Sequence, residues 1–241
     1  SIAIGHEGVS GPAPTSWIAS IDQAAYGTDD LDNQARRRRL FVIAAGNVPD
    51  GLKLGDLEDR DTHEVEDPGQ SWNALTVGGV TQKADITENA YAGWGCAAAV
   101  DELSPYSRVS AAWNHSVSPM KPELVVEAGN RGVDPADESL MSGIPSVSLL
   151  TTGADVTKTP LTTSWATSAA AAQVAGMAAR LHGDNTDYWP ETVRSLMVHS
   201  AKWTGPMRAA FDAVPAKGER RKLARRFGYG TPNLDRARRS T

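Results

Sequence analysis

Cysteine is almost missing from this chain: Cys96 stands alone among 241 residues. No internal disulfide can form, so stability rests on packing, and the alanine-rich setting of Cys96 reads as a small buried side chain. Aromatic residues make up only 6%, and no apolar run approaches the roughly 20 residues that span a bilayer. No membrane partner is therefore expected. An excess of positive charge is also lacking. The formal net charge is −5, the wrong sign for a phosphate-binding surface, and no nucleic-acid motif accompanies it, so nucleic acid is not expected as a partner. Internal repeats, low-complexity tails and linkers are absent as well, which leaves one domain over residues 1–241.

What is present suits an alternating α/β chain. With 40% hydrophobic residues the sequence can bury a substantial core, and 22 Gly with 14 Pro supply turns. Residues 40–47, L-F-V-I-A-A-G-N, form a short apolar run rich in β-branched and aromatic residues. That pattern predicts a buried parallel strand delivering Asn47 to the carboxyl edge of a sheet, where sites of open α/β folds collect. Before it, residues 17–26 place Trp17, Ile18, Ile21, Ala24 and Ala25 on one helical face. Residues 190–202 open on Pro190 and carry Val193, Leu196, Met197 and Ala201 at core spacing. Residues 48–67 read as an acidic surface loop, 130–160 as a long loop without helix, and 205–226 as an insertion.

The richest segment is residues 162–176, T-T-S-W-A-T-S-A-A-A-A-Q-V-A-G. Polar residues lead into an alanine-rich stretch, which predicts a helix with Ser164 at its N-terminus. Two readings follow. Ser164 is either an N-cap or a nucleophile whose developing oxyanion is met by unpaired helix N–H groups. Asn47 likewise is either a turn residue or an oxyanion donor.

Taken together, these segments resemble the subtilisin-like serine peptidases (subtilases), whose oxyanion asparagine ends an A-A-G-N strand and whose nucleophile lies in G-T-S-x-A-x-P. The resemblance runs along nearly the whole chain. S-I-A-I-G at residues 1–5 is similar to the groove strand N-x-S-L-G, and P-G-Q-S-W-N-A-L-T-V-G-G-V at 68–80 to Y-P-A-x-Y-x-x-V-I-A-V-G-A. S-P-Y-S-R-V, K-P-E-L-V-V-E-A-G and the closing F-G-Y-G-T-P-N-L-D-R-A also have counterparts in order. The resemblance implies a three-layer α/β/α parallel sheet forming the C-terminal part of a subtilase catalytic domain. It implies Ser164 as nucleophile, Asn47 as oxyanion donor, and a substrate groove along Ala3, Ile4, Gly5, Ala44, Ala45 and Gly46. In this register the family's Gly is replaced by Thr162 and its Pro by Ser168. No metal or cofactor is implied.

The family's general base lies in H-G-T-H and its orienting carboxylate in D-[ST]-G, both upstream of the S-L-G strand. Neither motif occurs here. His6, His63, His115, His182 and His199 all lie in other contexts: His6 and His115 read as loop residues, His63 as part of an acidic loop, His182 and His199 as helix C-terminal residues. The resemblance thus implies a serine endopeptidase acting on polypeptides, with the base supplied by an upstream segment of the same protein. The alternative is a non-catalytic peptide-binding or assembly module. Two basic clusters, Arg36–Arg39 and Arg220, Arg221, Lys222, Arg225 and Arg226, read as solvated helix ends. Such runs are awkward among secreted proteases, which leans toward an intracellular bacterial enzyme.

Overall fold

A computed structural model describes residues 1–28, 37–114 and 116–240; His115 and Arg36 lie outside them. The strands are β1 (His6–Ser10), β2 (Val42–Ala44), β3 (Glu66–Asp67), β4 (Leu75–Thr81), β5 (Gly95–Cys96), β6 (Glu102–Leu103), β7 (Leu124–Glu127), β8 (Gly132–Val133), β9 (Leu140–Met141), β10 (Leu149–Thr152) and β11 (Leu161–Ser164). The helices are α1 (Ser16–Tyr26), α2 (Ala166–Asp184), α3 (Pro190–Ser200), α4 (Gly205–Ala213), α5 (Lys217–Phe227) and α6 (Leu234–Arg238).

The central sheet is parallel at its core. β4 lies between β2 and β7, both parallel to it, while β6 runs antiparallel along its end. All seven residues of β4 are buried, as expected of a strand covered on both faces. Beyond β2 the expected strand at residues 1–5 is reduced to one bridge, Ile2 to Ile43. Its hydrogen bonds run from Ile2 N to Val42 O and from Ala44 N to Ile2 O.

Side-chain alternation assigns the layers. Val42, Val77, Leu124 and Val126 face α2 and α3 with Ala170, Ala171, Val174, Ala178, Leu181, Val193 and Met197. The opposite face gives Ile43 to Ile21 of α1 and Val125 to Met207, Leu223 and Phe227 of α4 and α5. Helices therefore cover both faces of the sheet. The start of α2 lies at the carboxyl ends of β2 and β7, where Thr167 bonds Gly46 and Asn47 and the Ala166 N–H donates to Ala128 O.

Three expectations change. Residues 205–226, read as an insertion, carry α4 and most of α5, with Met207 and Leu223 in the core; Thr204 caps α4 by accepting from Met207 N. Residues 48–67 hold a 3-10 turn at Leu54–Thr62, and Val65, Glu66 and Asp67 are buried. The second basic run is not simply solvated: Arg225 is buried, donating to Ser118 O, Pro119 O and Ser110 Oγ, and Arg226 pairs with Asp61 through two bonds. In the first run Arg38 meets Glu191 and stacks over Trp189. No helix among the described residues is long and apolar enough to cross a membrane.

Candidate functional site

Asn47 leaves β2 through Gly46, whose φ of +91° lies in the left-handed region that glycine enters without steric cost. The Thr167 backbone N–H donates to Asn47 Oδ1 at 3.0 Å. An amide N–H only donates, so this contact fixes the flip of the Asn47 side chain. Oδ1 faces the helix and Nδ2 faces away, with no hydrogen bond among the described residues. The Thr167 hydroxyl reinforces the same orientation, lying 2.7 Å from Asn47 Oδ1 and 3.0 Å from Gly46 O.

Ser164 does not open the helix. It ends β11, paired with Leu149 of β10 in an antiparallel hairpin. The chain turns at Ala166, where φ is +69°, and its N–H is anchored to Ala128 O at 2.7 Å. Ser168 then lies in the first turn of α2, where helical N–H groups have no intrahelical acceptor and carry the positive end of the dipole. Its Oγ donates to Ala3 O at 3.1 Å. The properties expected of Ser164 by its position therefore belong to Ser168.

A signal for this was present in the sequence. T-S-x-A occurs twice, at Thr163–Ala166 and Thr167–Ala170, and pattern alone does not rank the copies. The decisive feature is backbone. In the family pattern a Gly stands two residues before the serine, and here the left-handed residue stands two before Ser168. Alanine in that conformation costs about 1 kcal/mol relative to glycine. Ala166→Gly is accordingly expected to stabilise the fold by up to about 1 kcal/mol, read as a higher urea midpoint with unchanged slope. A lower midpoint would mean that the buried methyl contributes more by packing than its backbone costs.

The remaining expected residues divide. Ala3, Ile4 and Gly5 are exposed beside Ser168. Ala45 is buried against Val65 and Trp113, and Ala44 packs against the α2-side core. These two offer backbone, not side chain, to any groove. Sequence reasoning overlooked Thr167 and Ser168, and it also overlooked Arg108. That guanidinium donates from Nε to Asn47 O at 2.8 Å and from NH1 to Glu64 O at 3.2 Å, and pairs with buried Glu66 at 2.8 Å. Arg131 braces the following loop, donating to Val48 O and Pro49 O while it stacks over Tyr106. Burial, and then Arg108 and Arg131, push His63 below the usual histidine range. The acidic residues around it in sequence do not set its environment.

No histidine among the described residues hydrogen-bonds Ser168. His182 and His199 occupy the last turns of α2 and α3, and His6 pairs in register with Asp67 across β1 and β3. Among the described residues no group of three or more His, Cys, Asp or Glu is placed to hold a metal.

A mostly parallel sheet covered by helices on both faces, with the first turn of α2 tied to Asn47 at the end of β2, is an α/β fold of the subtilisin-like kind. A family model of the subtilases (Peptidase S8) matches residues 1–230, and the chain belongs to that family. The fold is shared with a protease from Pseudoalteromonas arctica: TM-score 0.52, 17% identity, 99% of this chain and 50% of that one. The epidermin leader peptide processing serine protease of Staphylococcus aureus aligns over 85% of this chain and 41% of its own at 15% identity, with a TM-score of 0.47. The chain thus spans about half the length of these structures. No curated protein sequence matches it.

Proposed function

We propose that residues 1–241 supply the nucleophile and the oxyanion site of a subtilase serine endopeptidase, with Ser168 as nucleophile in place of Ser164. The observation that carries this reading is the Thr167 N–H bond to Asn47 Oδ1. It ties the asparagine to the residue next to Ser168 and turns the Nδ2 donor outward on the same rim. In the reaction Ser168 Oγ attacks the scissile carbonyl of a polypeptide, forming the C–O bond of an acyl-enzyme as the amine leaves. Asn47 Nδ2 and the Ser168 backbone N–H stabilise the negative charge that develops on the carbonyl oxygen. Substrate adds as an extended strand along Ala3 to Gly5, the exposed edge beyond β2.

The general base and its orienting carboxylate come, in this reading, from an upstream segment of the same protein. A second reading, a non-catalytic peptide-binding or assembly module, is favoured by one observation: the Ser168 hydroxyl donates to Ala3 O, and no histidine among the described residues hydrogen-bonds it.

Asn47→Ala separates the two in the full-length protein. Turnover should fall about 10²–10³-fold with KM nearly unchanged, because the amide acts mainly in the transition state. Peptide binding without turnover in the wild type, with affinity lost in Asn47→Ala, would instead support the binding module.

A further inference from the structure

The two backbone stretches that flank the groove in this reading, residues 3–5 and 44–46, face each other across a side chain. A methyl group placed on Gly46 would lie 2.5 Å from Glu66 Oε2, and one placed on Gly5 would lie 2.7 Å from the same oxygen. Two Cβ directions from separate walls converge on one carboxylate oxygen, so that carboxylate fills the space between the walls. Glycine at both positions is what lets it stay there.

Glu66 is held in place. Only 7% of it is exposed, and its Oε1 lies 2.8 Å from Arg108 NH2. Arg108 is fixed in turn by the carbonyls of Asn47 and Glu64. The ion pair is therefore tied to the backbone of the oxyanion residue itself. Burial and mutual neutralisation make it a rigid floor, because separating two ions in a largely buried site is costly.

The position of this floor selects one substrate residue. Gly46 directly precedes Asn47, and Ala3 O touches Ser168 Oγ, so the walls bracket the point where the attacked carbonyl sits. In the peptidase reading, the side chain entering between them would belong to the residue that owns that carbonyl. We propose that the Glu66–Arg108 pair plugs this pocket and restricts that substrate residue to glycine, alanine or serine. A basic side chain is the other chemistry a carboxylate suits, but Arg108 already neutralises Glu66 and would repel a second cation. The inference rests on the peptidase reading above.

The test uses the full-length protein and quenched-fluorescence peptides that differ only at that residue: Gly, Ala, Leu, Phe or Arg. Alanine should exceed phenylalanine and arginine by about 10²-fold in kcat/KM, the size of effect that pocket sterics produce. The double variant Glu66→Ala/Arg108→Ala, which leaves no orphaned ion, should raise phenylalanine at least about tenfold and so invert or flatten the order. Glu66→Gln keeps the volume and should keep the order of preference, and it decides the matter if the double variant does not fold. A wild type that prefers arginine, with that preference lost in Glu66→Gln, would overturn the plug and make Glu66 a charge receptor. A preference for leucine or phenylalanine would overturn it too. Cleavage of none of the peptides marks failure of the peptidase reading itself and removes this inference with it.

Discussion

Ser168→Ala is expected to lower turnover of a peptide substrate by the full-length protein about 10⁶-fold, while Ser164→Ala leaves it within about tenfold. The size follows from the loss of the covalent route. Without Oγ no acyl-enzyme forms, and what remains is the contribution of the oxyanion donors and substrate positioning. The contrast between the two serines follows from their backbones. Ser164 is the last residue of an antiparallel hairpin, so its N–H serves the strand and not a developing charge. Ser168 is in the first turn of a 19-residue helix, with the Asn47 amide oriented by its neighbour Thr167. Substrate KM should change little in either variant, since the Ser168 hydroxyl makes its main contribution in the transition state. A Ser164→Ala protein as inactive as Ser168→Ala would mean that the hairpin end takes part directly in chemistry.

Lys121→Met is expected to destabilise the fold by about 3 kcal/mol, a Tm loss of roughly 10 °C for a domain of this size. Lys121 is wholly buried. Its Nζ donates to Glu123 Oε1 at 2.6 Å and to Ala74 O at 3.0 Å. Burial pushes its ammonium below the ordinary lysine range, and Glu123 opposes that shift. Glu123 also accepts from Thr76 N and from Arg194 NH2. One carboxylate thus joins β4, β7 and α3, and removing the lysine leaves a buried anion with less countercharge and an unpaired carbonyl on Ala74. Arg194 retains part of the compensation, which places the loss at the low end for a broken buried pair. Arg194→Met, at the half-exposed side of the network, should cost about 1 kcal/mol. Calorimetric melting of the three proteins checks the ranking; equal effects of the two variants would show that burial does not set the strength of these pairs.

The parts of the fold that could be read from sequence were those where composition and period agree. β4 is buried along its whole length, and its β-branched run with two glycines announces a central strand. Trp17, Ile18 and Ile21 predict a helix that the structure starts at Ser16, capped by Thr15. Asn47 was legible because a strand ends there in small residues. Ser168 was not, because two T-S-x-A copies stand four residues apart and only the backbone turn at Ala166 distinguishes them. Glu66 was hidden for another reason. It sits in a run of acids that reads as a solvated loop, and its burial depends on Arg108, 42 positions away in the numbering. α5 was missed because its apolar residues are sparse among charges. Met207, Leu223 and Phe227 become core only when the sheet face beneath them is present.

The central claim is that Ser168, and not Ser164, is the nucleophile. Labelling the full-length protein with a fluorophosphonate, digesting it and mapping the adduct by tandem mass spectrometry tests that claim most directly. A single phosphonylated residue, Ser168, is expected, with labelling abolished in Ser168→Ala and retained in Ser164→Ala. An adduct on Ser164, or labelling that survives Ser168→Ala, would contradict it.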